Sequence, residues 1–339
     1  MQAVIRAIEY YLPESVLTTA ALAAEFPDWS VEKIDKKTGI AERHVAAPGE
    51  CASDLAYAAA QKLFASGVVT PAEVDGILLC TQSPDYFLPT TACLLQERLR
   101  LRTGTLALDY NQGCSGFVYG LGLAKGLIET GQARRLLLLT AETYSKFVNP
   151  RDRSVRTIFG DAAAATLIEG VEAAGEPSMG PFVYGTDGSG ANNLIVPAGG
   201  ARHPRTAATA VESEDAAGAW RSADNLYMNG AEVFEFTLRM VPQTVAGLLE
   251  QAGKTPVDVD LFVFHQANRY MLNSLRTAME IPEDKFYLAM RHCGNTVSST
   301  IPIALHHACA EGKLKPGQLA MLVGFGVGYS WAGTLVRWH

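Results

Sequence analysis

The stretch "DYNQGCSGFVYGLGLAKGLIETG", residues 109–131, decides the fold. It sets one cysteine, Cys114, in a polar turn and then runs apolar, with glycines at 116, 120, 122 and 126. The run is apolar almost all round, which predicts a helix without a wet face, sandwiched between sheets. Each glycine costs about 1 kcal/mol of helix propensity relative to alanine, so the gain to look for is close approach of neighbouring backbone. A thiol at the N-terminus of such a helix meets unpaired N–H groups and the positive end of the dipole. That predicts a lowered pKa and a nucleophilic thiolate.

The pattern returns further along. "CSGFVYGLGLAKGLIETG" and "NTVSSTIPIALHHACAEG" both read as helices ending in glycine, each followed by a strand, "RRLLLLT" or "QLAMLVG". This aligns Cys114 with Asn295. Likewise "VDGILLCTQS" (74–83) and "VDLFVFHQAN" (259–268) each read as buried strand, turn and amphipathic helix, which aligns Cys80 with His265. Two similar halves, 1–172 and 173–339, predict a duplicated α/β fold in which the helices after Cys114 and Asn295 start near one point. The longest irregular region, Gly185 to Asn229, is either a lid inserted over a site or a surface loop.

The rest of the chain narrows the function. With 339 residues, 48% apolar and 19% charged, it is globular, and 28 basic against 35 acidic residues leave no global charge for nucleic acid. Six cysteines without a CxxC pair read as reduced thiols, which places the protein in the cytoplasm. Leu319 to Val336 carries no charge, but its glycines predict two buried strands around a turn rather than a membrane span. No metal is indicated: His306 and His307 are adjacent on a helix and point apart.

A cysteine that stores an acyl group needs donors aimed at developing negative charge. His265 stands at the end of an apolar strand and Asn295 just before a helix, and two neutral N–H donors converging on one oxygen stabilise an enolate. Taken singly, each is the pattern of a satisfied polar residue or a helix cap. "GFGVGYSWAG", 324–333, follows the last helix and leads into a strand, so it reads as backbone N–H groups laid beside a substrate, not as a dinucleotide loop.

Together with "TGIAERHVA" (38–46) and "NPRDRSVRTIFGDAAAA" (149–165), these motifs closely resemble, in order and spacing, the β-ketoacyl-acyl carrier protein synthase III family of the thiolase superfamily, over nearly the whole chain. The resemblance implies a thiolase-like five-layered αβαβα fold, a homodimer and a decarboxylative Claisen condensation. Cys114 would take an acyl group from acyl-CoA. His265 and Asn295 would hold the enolate formed from malonyl-acyl carrier protein. The backbone N–H groups of Cys114 and Val327 would hold the tetrahedral oxyanion, with Phe325 shielding the thiolate. It further implies substrate contacts at Lys33, Lys37, Arg153 and Asn268, a carrier-protein patch at Arg269 and Arg276, and Leu88 reaching across the dimer to close the partner's acyl pocket. Coenzyme A enters as thioester substrate, and no cofactor is implied.

Relatives of other kinds fit less well. Degradative thiolases carry a second cysteine in the C-terminal glycine loop. Hydroxymethylglutaryl-CoA synthases carry a glutamate base where this chain has Gln82. A member transferring its acyl group to oxygen or nitrogen, and a non-catalytic carrier-binding partner, are the alternatives. The chain also departs from the family pattern. Lys33 stands where a tryptophan usually stacks on adenine, with Trp29 four residues earlier, and Tyr270 replaces an arginine. "DYNQGC" replaces a run of small residues, which points to a secondary-metabolite or surface-polymer pathway.

Overall fold

Alternation along the strands sorts the apolar side chains of this chain into separate cores. In the computed structural model, which describes residues 1–339 apart from Pro27, Ala174 and Ala217, two sheets arise from the two halves. The first has the order β1 (Gln2–Tyr11), β5 (Ala162–Val171), β4 (Arg135–Glu142), β2 (Gly76–Cys80), β3 (Leu106–Tyr110). The second runs β6 (Met179–Thr186), β9 (Ser330–Arg337), β8 (Leu319–Gly326), β7 (Leu261–Phe264). The pairings repeat: β2 with β4 and β7 with β8 are parallel, and the strands beyond them are antiparallel. Only the edge differs. The counterpart of β3 is reduced to a single bridge between Phe262 and Phe286.

Six main helices complete the layers: α1 (Ala52–Ala65), α2 (Thr91–Arg98), α3 (Gly116–Glu129), α4 (Gly230–Ala252), α5 (Arg269–Ala278) and α6 (Thr300–Ala310). In β2, Ile77 and Leu79 pack outward against Leu55 and Leu63 of α1. Leu78 points the other way, to Phe117 and Leu121 of α3 and Ile301 and Leu305 of α6. In β8, Leu322 joins that middle core while Met321 and Val323 face Val241 and Leu248 of α4. Each such side chain contributes roughly 1.5–3 kcal/mol by leaving water. The layers are therefore α1 and α2, a sheet, α3 and α6, a sheet, α4 and α5, the five-layered thiolase-like arrangement.

The duplication reaches further into the turns than "VDGILLC" and "VDLFVFH" reveal. Thr70 and Glu73 form a capping box before β2, and Thr255 and Asp258 form its twin before β7. Asp75 then accepts the N–H groups of Arg134 and Arg135, and Asp260 accepts that of Leu319. The same carboxylate fixes the same crossover in both halves.

Two expectations need correction. The glycines of α3 make room for side chains rather than backbone: a Cβ on Gly120 would lie 2.4 Å from Leu138 and 2.2 Å from the Tyr110 hydroxyl, while Gly126 faces open space. And the irregular region starts later than expected, because β6 carries regular pairing through Thr186. Beyond it, short ribbons pair 194–195 with 227–228 and 213–214 with 220–221. Arg221 bonds the fully buried Asp152 at 2.8 Å and Asp215 at 2.6 Å, so the insertion is fastened to the segment that carries Arg153.

Candidate active site

α3 begins at Gly116, so Cys114 lies just before its first turn, 5% exposed. Against it runs the turn from β8 to β9. Gly326 there has φ +157°, and a Cβ on it would sit 2.8 Å from Cys114 Sγ. Only glycine lets that backbone approach.

Burial pushes the Cys114 thiol up to about 12, against a smaller downward pull from the backbone N–H groups of Val327 and of Cys114 itself. The expected resting thiolate is thus overturned. The helix terminus acts on the sulfur, but its first-turn N–H at Gly116 is spent on Gly113 O (2.8 Å), and desolvation of the charged form outweighs what remains. The donors are nonetheless in place: the backbone N–H groups of Val327 and Cys114 face the sulfur.

His265 follows β7, its N–H on Val323 O at 2.9 Å, and is 2% exposed. Burial lowers its pKa to about 3, so the ring is neutral. Its Nδ1 lies 2.7 Å from Thr300 Oγ1, which leaves Nε2 for a substrate. Asn295 is 4% exposed, and its Oδ1 accepts the Val297 N–H at 2.9 Å. With the oxygen spent, the NH2 end is the group left to donate. The cap-like bond itself fixes which way the amide points.

The residue making both possible is Val297, which sits at φ +55°. A β-branched side chain rarely adopts the left-handed region, and such strain concentrates at functional sites. Here it turns the Val297 N–H to Asn295 and its carbonyl to the Thr300 hydroxyl (3.0 Å), the partner of His265. The helix expected to follow Asn295 directly instead starts at Thr300, after this turn. Sequence reading passed over Val297 and Thr300, and also Glu142. That buried carboxyl accepts the Gln82 N–H (3.0 Å) and the hydroxyls of Ser298 (2.8 Å) and Ser83 (3.3 Å), tying β4 to both halves of the site. Burial raises its pKa to about 8.

Cys114, His265, Asn295 and Phe325 line one cleft of about 420 Å³. Phe325 meets the His265 ring edge-on at 5.5 Å. Lys37 and Asn268 also line this cleft, and Asn268 caps α5 by accepting the Met271 N–H. On its exposed side Tyr270 stacks on Phe234 at 5.4 Å. Nearby, the Trp29 ring has the ammonium groups of Lys33 and Lys37 each at 5.4 Å and the Arg153 guanidinium at 5.9 Å. The indole facing Arg153 is therefore Trp29. Lys33 packs beside that ring and does not stand in for it.

The remaining candidates lie outside the cleft. Leu88 is 81% exposed, beside Phe87 at 89%, so bulk is present next to the smaller side chain. Arg269 is held by Asp35 at 3.1 Å, and Arg276 donates to Ile281 O at 3.3 Å. Arg269 is thus already paired with a carboxylate, while Arg276 is tied to a backbone carbonyl.

Comparison with known proteins identifies the family. Residues 108–188 match the family described as 3-oxoacyl-[acyl-carrier-protein] synthase III, and residues 249–338 match its C-terminal part. A beta-ketoacyl-[acyl-carrier-protein] synthase III of Caldanaerobacter subterraneus is 37% identical over 97% of this chain and 95% of its own length. One of Streptomyces coelicolor is 38% identical over 96% of this chain and 94% of its own. A crystal structure of a 3-oxoacyl-(acyl-carrier-protein) synthase III superposes with a TM-score of 0.98 at 57% identity, covering 100% of both chains.

Proposed function

The chain belongs to the 3-oxoacyl-[acyl-carrier-protein] synthase III family of condensing enzymes, and on that premise we propose that it is an acyltransferase joining an acyl primer to malonyl-acyl carrier protein with loss of CO2. The observation that carries this reading is the convergence of Cys114, His265 and Asn295 from different halves on one cleft.

In the first stage Cys114 Sγ attacks the carbonyl of an acyl-CoA. The carbonyl oxygen is held by the N–H groups of Cys114 and Val327, the carbon–sulfur bond to CoA breaks, and the CoA thiolate leaves with the proton. A thiol at about 12 is a poor nucleophile at rest, so the negative charge forms only as the oxyanion donors engage. In the second stage malonyl-carrier protein loses CO2. Its thioester oxygen accepts hydrogen bonds from His265 Nε2 and the Asn295 amide while it carries the enolate charge. The enolate carbon attacks the acyl carbonyl, Cys114 leaves and takes one proton, and a 3-oxoacyl-carrier protein results. His265 serves as a neutral donor in the tautomer with its ring proton on Nε2, for which the Thr300 hydroxyl turns its one hydrogen from the Val297 carbonyl to Nδ1. Each step has a side chain or backbone group assigned to it, so no cofactor enters beyond the CoA thioester.

The substrate-binding assignments follow the same cleft. The nucleotide of CoA stacks between Trp29 and Arg153, with Lys33 and Lys37 reaching its phosphates and Asn268 beside the pantetheine arm. The acidic carrier docks over α5, where Arg269 exchanges Asp35 for a carrier carboxylate and Arg276 adds charge. A second copy pairs along the β3 edge, where Leu106 and Leu108 are 39% and 44% exposed, and inserts its Leu88 loop towards the acyl site. The free thiols suit the cytoplasm, and among the described residues no helix is long and apolar enough to cross a membrane.

The test is product mass after incubation with an acyl-CoA and malonyl-carrier protein. The reading expects a 3-oxoacyl-carrier protein with stoichiometric CO2. An acylated oxygen or nitrogen acceptor with malonyl groups intact would favour the non-decarboxylating transferase.

A further inference from the structure

The polar run before the nucleophile has no part in the steps above. Gln82, in the turn after β2, donates from Nε2 to Asn111 Oδ1 at 3.1 Å, and its Oε1 accepts the Tyr144 hydroxyl. Gln82 and Val327 converge on Gly113, the residue before Cys114. A Cβ there would lie 2.5 Å from Gln82 Oε1 and 2.5 Å from Val327 Cγ1. Tyr144 is 4% exposed, shares a core with Cys114, and packs on Phe159 of the cleft at 5.3 Å. Burial raises its pKa well above the usual value, so it remains a hydroxyl donor.

This places a chain of amides beside the residue that precedes the nucleophile, and none of its three side chains lines the cleft shared by His265, Asn295 and Phe325. The pantetheine arm and the malonyl unit need the His265 side, and the acyl oxygen sits at Val327. The acyl chain is therefore left with the Gly113 side. The chain of bonds uses up the acceptors: Asn111 Oδ1 is taken by Gln82 and Gln82 Oε1 by Tyr144. Among the described residues, what remains unpaired in it is N–H, both hydrogens of Asn111 Nδ2 and one of Gln82 Nε2. An alkyl chain laid over these groups would strip their water and return nothing, which is how a polar site rejects an apolar analogue. An oxygen on the chain would accept them. The neutral kind is favoured, since the three side chains are amides and a hydroxyl and bring no cation to pair with a carboxylate.

We propose that Gln82, Asn111 and Tyr144 form an acyl-end subsite for a short primer carrying a hydroxyl or oxo group, rather than a plain alkyl primer. The inference rests on the ketosynthase reading and names its substrate class. The transfer itself is the first stage above: the Cys114 carbon–sulfur bond forms, that of CoA breaks, and CoA takes the thiol proton. No oxidant or further reactant is needed.

The experiment times Cys114 acylation by intact-protein mass with butyryl-CoA, 3-hydroxybutyryl-CoA, 4-hydroxybutyryl-CoA and succinyl-CoA. One of the hydroxyacyl thioesters is expected to react about tenfold or more faster than butyryl-CoA. In Gln82→Leu and in Asn111→Leu that ratio collapses towards one. A wild-type rate with butyryl-CoA equal to or above both hydroxyacyl thioesters overturns the proposal. So does succinyl-CoA as the best donor, or an unchanged ratio in both variants. If no thioester of any kind labels Cys114, the ketosynthase reading itself falls. The wild-type comparison needs no variant to fold.

Discussion

The two halves of this molecule have nearly the same scaffold and different chemistry. At the end of β2 stands Cys80, fully buried, its thiol on Gln112 O at 2.8 Å. At the same place in the second half stands His265, in the cleft. Before α3 stands Cys114, the proposed nucleophile, and before α6 Asn295, the proposed donor. The difference lies in how each helix is entered. α3 follows Cys114 after one residue, with backbone N–H groups beside the sulfur, whereas α6 waits for the strained turn at Val297 that orients two side chains. Duplication supplies two helix starts at one point, and in the proposed mechanism the substituted residues make one the acyl acceptor and the other the enolate holder.

Breaking the first entry has the largest effect. Cys114→Ala is expected to lose acylation and condensation altogether, a drop of at least about 10³-fold. Cys80→Ala, at the position matching His265, alters packing but keeps Cys114 acylation within a few-fold, because it touches no reacting group. Equal loss in both would break the assigned asymmetry.

Breaking the second entry separates the stages. His265→Ala and Asn295→Ala are each expected to slow decarboxylation by about 10²–10³-fold while leaving most of the first acylation intact, since a lost oxyanion donor costs about that much. Timing CO2 release against Cys114 labelling in each variant checks this. Thr300→Val is expected to slow CO2 release by a smaller factor, with Thr300→Ser restoring it, because the hydroxyl is the partner of His265 Nδ1.

The pH behaviour sharpens the comparison further. With the His265 pKa lowered by burial to about 3, the ring stays a neutral donor down through pH 5. CO2 release is expected to show no acid limb near 6.5, and a midpoint there would mean the ring is accessible to protons. The Cys114 thiol, raised by burial to about 12, gives the opposite profile: alkylation of the empty enzyme is slow at pH 7 and still climbing at pH 10.

The smallest expected effect concerns scaffold alone. Gly126 of α3 faces open space, so Gly126→Ala stabilises by about 0.5–1 kcal/mol through helix propensity. Gly120→Ala destabilises, because its Cβ would meet Leu138 and Tyr110. Thermal unfolding of the two variants compares them.

Much of this was readable from the chain. The repeat, the buried strands and the three polar or nucleophilic residues at element ends were visible because strand and helix periods are local. The layer that α3 occupies followed from its all-round apolar surface. What the sequence concealed depends on burial and backbone path. The Cys114 argument from the helix dipole was right in its local direction and lost to desolvation by distant residues. Val297 is an ordinary valine until its φ is known, and Thr300 one of several hydroxyls in "NTVSST". Glu142 ends an apolar strand, and only the packing of two other segments against it reveals its partners. Trp29 lies four residues before the position the motif marks, yet its ring reaches Arg153.

The measurement that bears most directly on the central claim is intact-protein mass after mixing wild type and Cys114→Ala separately with a panel of acyl-CoAs and acyl-carrier proteins, before malonyl-carrier protein is added. The account predicts one acyl increment on wild type, none on the variant, and loss of that increment with CO2 release once malonyl-carrier protein arrives. An unlabelled wild type, or a label that persists in Cys114→Ala, would contradict it.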